Sequence, residues 1–215
     1  MAGEPERQRG CRPSCSGRPL VEGIASIDLF VVPTIAFQQL FAFLVLGHKR
    51  RQLLWFAVTR NPTAEWLARQ ITEAFPWDTA PKYLIRDNDR AFGAVFKTRV
   101  RAIGIRDRPT SFRSPWQNGL VERLIGSARH ECTDHVIVFN EEHLQRILSK
   151  YARYYNEVRT HLSLGKDASC TRPIERFGDI MRSRSLADYT IDMHESEFSE
   201  ATAFLLPAGT HVVAC

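Results

Sequence analysis

Asp28, Asp87 and Glu122 are the residues whose type and setting most suggest chemistry. Asp28 interrupts the apolar run IASIDLFVV, where an unmatched carboxylate is costly. Asp87 follows the short run KYLIR, and Glu122 lies within SPWQNGLVERLIGSARHE. Each has an ordinary reading by itself: a buried Asp satisfied by nearby donors, a turn residue, an exposed helical Glu. Taken together they carry more. Two acids on neighbouring strands and one on an adjoining helix can converge, because open α/β sheets gather their sites at the carboxyl ends of strands. Carboxylate oxygens suit hard cations of the Mg²⁺ type, which keep several waters for a substrate phosphate. A pair of such ions activates the attacking oxygen and stabilises the leaving one during in-line displacement at phosphorus. No Gly-rich phosphate loop is present, which weighs against chemistry driven by a nucleoside triphosphate.

The elements that must position these acids are legible as patterns. IASIDLFVV reads as a strand covered on both faces. FQQLFAFLVLG and QLLWFAVT read as two more, joined through Gly47-His48-Lys49-Arg50. In NPTAEWLARQITEAFP the residues Trp66, Leu67, Ile71 and Phe75 recur at helical spacing, with Thr63 or Asn61 as cap and Pro76 as stop. KYLIR, a helix from about Phe92 to Ala102, and the short strand IRDRP follow. SPWQNGLVERLIGSARHE has the strongest start signal: Ser114 as cap, Pro115 at the first position, and Gln117 completing a Ser-x-x-Gln box. EEHLQRILSKYARYYNEV is a last amphipathic helix. The order βββαβαβαα predicts an α/β fold with a mixed central sheet flanked by helices. Residues 1–22 read as a disordered lead-in, 23–166 as the core, and 167–215 as a divergent tail.

Charge is unevenly spread. The chain has 29 Lys and Arg against 24 Asp and Glu, a net of +5. From Lys82 to Arg129 there are 11 basic and 4 acidic residues, a local balance of +7. Beyond Arg184 only acids remain. A basic middle suits a polyanion. Arg86, Lys97, Arg99, Arg101, Arg113 and Arg123 are the candidate phosphate contacts, to be tested as a set. On the helix of Glu122, a period of 3.6 gathers Asn118, Gly119, Glu122, Gly126 and Arg129 on one side. Two glycines there suggest a surface kept low for a DNA backbone, with Asn118 and Arg129 beside it. Tyr151, Tyr154 and Tyr155 read as core, and His161 as a structural hydrogen-bonder. The five cysteines read as reduced, unpaired thiols. With no secretory signal and no apolar run long enough to span a bilayer, a cytoplasmic protein is expected, with no membrane partner.

At SPWQNGLVERLIGSARHEC the chain resembles the DDE transposases of bacterial insertion sequences and, behind them, the retroviral integrase core. YLIRDNDRAF resembles the segment of the second acid and SIDLFVV that of the first, which makes Asp28, Asp87 and Glu122 the implied catalytic, metal-binding triad. Thirty-four residues lie between Asp87 and Glu122, close to the interval of that group. YYNEVRTHLSL resembles the motif that closes its core. Asp89 stands where the group usually has Gly and is a competing ligand. The resemblance implies a ribonuclease H-like five-stranded fold and two Mg²⁺ or Mn²⁺ ions. It implies DNA recombination at mobile-element ends, by hydrolysis and then attack of a 3′-hydroxyl on target DNA. The implied partners are double-stranded DNA, at element ends and target, and further copies of the chain, assembled on the nucleoid. No helix-turn-helix is read ahead of the core, so a separate chain is expected to supply one. Two other expectations compete: an inactive or truncated DNA-binding, dimerising remnant, and a nonspecific nuclease of the same fold.

Overall fold

The apolar run that holds Asp28 becomes β1 (Ile24–Pro33), the central strand of a five-stranded sheet. The computed structural model describes residues 23–76 and 79–171. β2 (Gln39–Gly47) and β3 (Gln52–Thr59) follow as antiparallel neighbours, turning at His48–Arg51, where Arg51 takes a φ of 53°. α1 (Ala64–Ala74) starts at Thr63, whose side chain accepts the Trp66 N–H at 3.2 Å. The chain then crosses to β4 (Tyr83–Arg86), parallel to β1, and passes through α2 (Ala94–Ala102) to β5 (Arg106–Pro109), parallel to β4. α3 (Gly119–Glu131) and α4 (Glu141–Arg153) complete the core. The spatial order is β3-β2-β1-β4-β5. The mixed sheet and the element order match the pattern read from the sequence.

Strand register sorts the side chains between two layers. Ala25, Ile27, Phe43, Val45 and Leu84 share one core with Trp66, Leu67 and Ile71 of α1 and with Phe96 and Val100 of α2. With a period of two, Ser26 and Asp28 face the other way. That second face is covered by α3 against β1 and β2, and by α4 against β3, with Val121, Leu124, Leu144 and Ile147 all buried. Asp28 therefore opens beneath α3, the helix that carries Glu122.

The Ser-x-x-Gln box does not form. Pro115–Asn118 is a 3-10 turn and Ser114 makes no capping bond, so α3 begins only at Gly119. In that tighter turn positions three apart eclipse one another, and Gln117 ties down the preceding loop, its Oε1 accepting the Ser111 N–H at 2.8 Å.

The closing segment is built on backbone groups that the sheet leaves unpaired. β3 is an edge strand, and the Asn156 side chain serves as its missing neighbour. Its Oδ1 accepts the Leu53 N–H, and its Nδ2 donates to the Leu53 carbonyl, each at 2.9 Å. Asn156→Ala leaves both buried groups without partners, at about 1–3 kcal/mol each. A loss of about 2–6 kcal/mol in unfolding free energy is expected, read from urea unfolding. Arg50 binds Asp167 Oδ2 at 2.6 Å and the carbonyls of Ala168 and Ser169. Asp167–Ser169, assigned to the tail by sequence, thus belong to the core, with Ala168 fully buried. Tyr151 and Tyr155 are core residues, and His161 bonds the Ser169 hydroxyl at 3.2 Å. Cys132 is a buried free thiol, whereas Cys170 is disulfide-bonded, contrary to the reading of reduced cysteines. The expected lead-in, residues 1–22, and the chain beyond residue 171 lie outside the described residues.

Candidate active site

β1 and β4 run side by side with Ile27 opposite Arg86, so Asp28 and Asp87 are the next residues on adjacent parallel strands. Asn118, in the turn that leads into α3, reaches across both. Its Nδ2 donates to the Ile27 carbonyl at 3.2 Å and to Asp87 Oδ1 at 3.4 Å. Glu122 follows one helical turn later and is half-buried. Two strands and one helix thus bring the three predicted acids into one neighbourhood.

Electrostatics confirm their proximity. Burial pushes the Asp28 carboxyl up to about 7; the Leu29 N–H, bonded to Oδ1 at 2.8 Å, pulls the other way, and the charges of Asp87, Glu122 and Asp89 add to the rise. The three charges that weigh most on Asp28, those of Asp87, Glu122 and Asp89, are all negative. Carboxylates are hard oxygen donors, the chemistry that Mg²⁺ or Mn²⁺ requires. The cluster is open in this structure. Among the described residues, no three His, Cys, Asp or Glu side chains sit close enough together to hold a metal ion. Asp89 is exposed, and its Oδ1 accepts the Ala91 N–H at 3.0 Å, the role of a turn residue.

The face of α3 beside Glu122 is low, as the sequence suggested. A Cβ added at Gly119 or Gly126 would meet nothing within 4 Å, so these glycines do not serve helix packing. Arg123 and Arg129 are exposed on the same helix, and the Arg129 guanidinium lies 5.8 Å from the Phe30 ring centroid. Arg113 is exposed in the loop before α3, stacked on Phe112 at 5.1 Å. Lys97, Arg99 and Arg101 are exposed on α2, across the sheet from α3.

Two members of the predicted DNA-contacting set are corrected. Arg86 is 1% exposed, and its guanidinium holds Asp107 through two bonds of 2.8 and 2.9 Å while lying over Phe92 and Phe96. It is a core ion pair and cannot meet a phosphate. Asn118 is likewise 1% exposed. Its Nδ2 is spent on the Ile27 carbonyl and Asp87, which makes it a positioning residue for the acids. Sequence reasoning also missed the cations at Lys82, Arg106 and Arg108. The alternation in Arg106-Asp107-Arg108, which puts both arginines on one face of a strand, was the available signal.

Residues 103–168 match the family model of the integrase core domain. That span contains β5, α3 with Glu122, α4 and the segment locked by Arg50. The chain folds as an integrase/transposase core of the ribonuclease H-like type. A chain of the simian T-cell lymphotropic virus intasome superposes with a TM-score of 0.57 at 14% identity, over 83% of this chain and 66% of that one. This core thus spans just under two thirds of that chain. The dimeric HTLV-2 integrase catalytic core domain in complex with magnesium gives 0.50 at 14% identity, over 68% and 92%. The catalytic domain of Mos1 mariner transposase gives 0.52 at 10% identity, over 63% and 74%. At such identities the likeness is one of fold. No curated protein matches the sequence. Among the described residues, no helix of this integrase-like core is long and apolar enough to cross a membrane.

Proposed function

We propose that this core catalyses DNA transposition or integration, by hydrolysis at an element end followed by attack of the freed 3′-hydroxyl on target DNA. The observation that carries the reading is that Asp87 and Glu122 lie close enough to Asp28 for their charges to raise its pKa, with Asn118 bridging β1 and Asp87. The integrase core match and the magnesium in the HTLV-2 core support it.

Asp28, Asp87 and Glu122 would hold two Mg²⁺ or Mn²⁺ ions, which supply activation of the attacking oxygen and charge relief at the leaving one. The protein's own part is positional. Asn118 sets the Asp87 carboxylate against β1, and the Leu29 N–H fixes one Asp28 oxygen. The bare backbone at Gly119 and Gly126 leaves room for a DNA strand to lie against α3 beside Glu122. Arg123, Arg129 and Arg113, all exposed, would hold its phosphates, and Lys97, Arg99 and Arg101 would offer a second basic surface on α2. By analogy with an intasome, several copies of the chain would assemble on DNA.

The test is a gel assay on labelled duplexes carrying the element's ends, with Mg²⁺, with Mn²⁺ and with chelator. Metal-dependent nicking together with branched joined products is the expected result. Nicking alone would identify a nuclease of this fold, and neither product would identify an inactive remnant.

A further inference from the structure

The parallel register of β4 and β5 places Tyr83 opposite Arg106 and Ile85 opposite Arg108. These residues therefore share one face of the sheet, while Leu84, Arg86 and Asp107 share the other. Leu84 belongs to the core under α1 and α2. Ser26 lies opposite Ile85 in the β1–β4 pairing, so Tyr83, Arg106 and Arg108 lie on the Asp28 face. α3 packs on that face over β1 and β2, while Arg106 and Arg108 of β5 are exposed.

Three cations meet around one ring there. Lys82 Nζ lies 5.7 Å, Arg106 Cζ 5.7 Å and Arg108 Cζ 5.5 Å from the Tyr83 ring centroid. Arg106 Nη1 also donates to the Tyr83 hydroxyl at 3.2 Å. All three cations are exposed. Asp107, between the two arginines in sequence, points through the sheet to Arg86. None of the three cations makes a salt bridge among the described residues. Like charges gathered without an acid lose energy by repulsion, and an anion bound among them removes that cost. A stacked guanidinium also keeps its N–H fork free for phosphate oxygens.

We propose that Lys82, Tyr83, Arg106 and Arg108 form a phosphate track for duplex DNA, leading across the β5 side of the sheet to Asp28 and Asp87. The inference rests on the DNA reading above and adds where the duplex lies. It competes with a simpler role: basic side chains on an edge strand protect against edge-to-edge aggregation. Protection needs only charge on the edge. A track needs cations on the same face as the acids; register puts Arg106 and Arg108 there, and Lys82 reaches the same Tyr83 ring from the end of the strand.

Binding to a blunt duplex, followed by fluorescence anisotropy across NaCl concentrations, separates the two roles. Each lost phosphate contact lowers the slope of log Kobs against log salt by about 0.9. Lys82→Gln/Arg106→Gln/Arg108→Gln should flatten the slope by about two to three units. Lys82→Arg/Arg106→Lys/Arg108→Lys, which keeps the charge, should keep the wild-type slope. Arg108→Gln alone, exposed and without structural bonds, should flatten it by about one unit and covers the case where the triple variant misfolds. An unchanged slope in the Gln variants, with wild type binding normally, overturns the track. Wild type that binds no duplex at all overturns the DNA reading, and the track falls with it.

Discussion

Asp28→Asn should melt at higher temperature than wild type in chelator at pH 8, while losing metal-dependent cleavage by roughly a thousandfold or more, the equivalent of several kcal/mol of transition-state stabilisation. Both effects come from one carboxylate. Folding places Asp28 where burial and the charges of Asp87, Glu122 and Asp89 hold its pKa at about 7, above the usual carboxylate value of 3.8. A carboxyl whose pKa rises on folding contributes most to stability while protonated. That contribution is full below the unfolded pKa and is lost as pH rises from about 4 to about 7. Wild type should therefore lose stability relative to the Asn variant across that window, with a constant gap above it. Three pKa units would correspond to about 4 kcal/mol. The side chain is only half-buried, so solvent screening reduces the expected gap to about 1–2 kcal/mol. Asn retains an oxygen for the Leu29 N–H, which keeps the local backbone unchanged. Thermal melts at pH 4, 6 and 8 in chelator check this. A gap that is absent at pH 8, or equal at all three values, would show that Asp28 carries no such charge burden.

Arg86→Met should destabilise the fold by about 3–5 kcal/mol, the range for removing one partner of a buried ion pair. The expected value lies near the lower end, because the Asp107 side chain keeps 20% of its exposure and can recruit water. Arg86 also donates to the Asp87 carbonyl at 2.9 Å, so the end of β4 loses a tether as well. Adding Asp107→Leu to Arg86→Met should recover much of the loss by removing the stranded carboxylate. The salt slope of DNA binding should stay at the wild-type value in every folded variant of this pair. Urea unfolding and anisotropy titrations of the single and double variants measure the two halves of the prediction.

Arg86 also shows how far sequence carries. Beside Asp87, in the polar string RDND, it looks like a surface cation. Its partner is 21 positions away, on the strand that parallel register lays next to β4. Register between short parallel strands leaves no local mark, so the Arg86–Asp107 pair was not readable; of the cluster at Tyr83 only the Arg106-Asp107-Arg108 alternation was. What was readable had local causes. The apolar runs made β1, β2 and β3, Gly47–Arg50 marked their turn, and Thr63 capped α1. Asp28 stood out because a carboxylate inside an apolar strand is costly and demands an explanation; Asp87 and Glu122 stood out by combination with it and by motif. Asn118 was read onto the helix of Glu122, whereas it lies in the turn before α3, buried under the β1–β4 junction by tertiary packing. The capping box at Ser114 failed because local propensity favoured an α-turn where the loop took a 3-10 turn.

The lock made by Arg50 on Asp167, Ala168 and Ser169 has an architectural consequence. It holds the exit of the core, at Thr171, beside the turn between β2 and β3. The entry is there too: His48 bonds the Ile24 carbonyl, and Gly23 bonds Tyr83 at the start of β4. Asp87 lies at the other end of that strand, roughly 13 Å along at about 3.3 Å per residue. Both doorways of the core therefore open at its rear. A DNA-reading module or a purification tag spliced at residue 23 or 171 would hang behind the sheet and leave the carboxylate mouth clear.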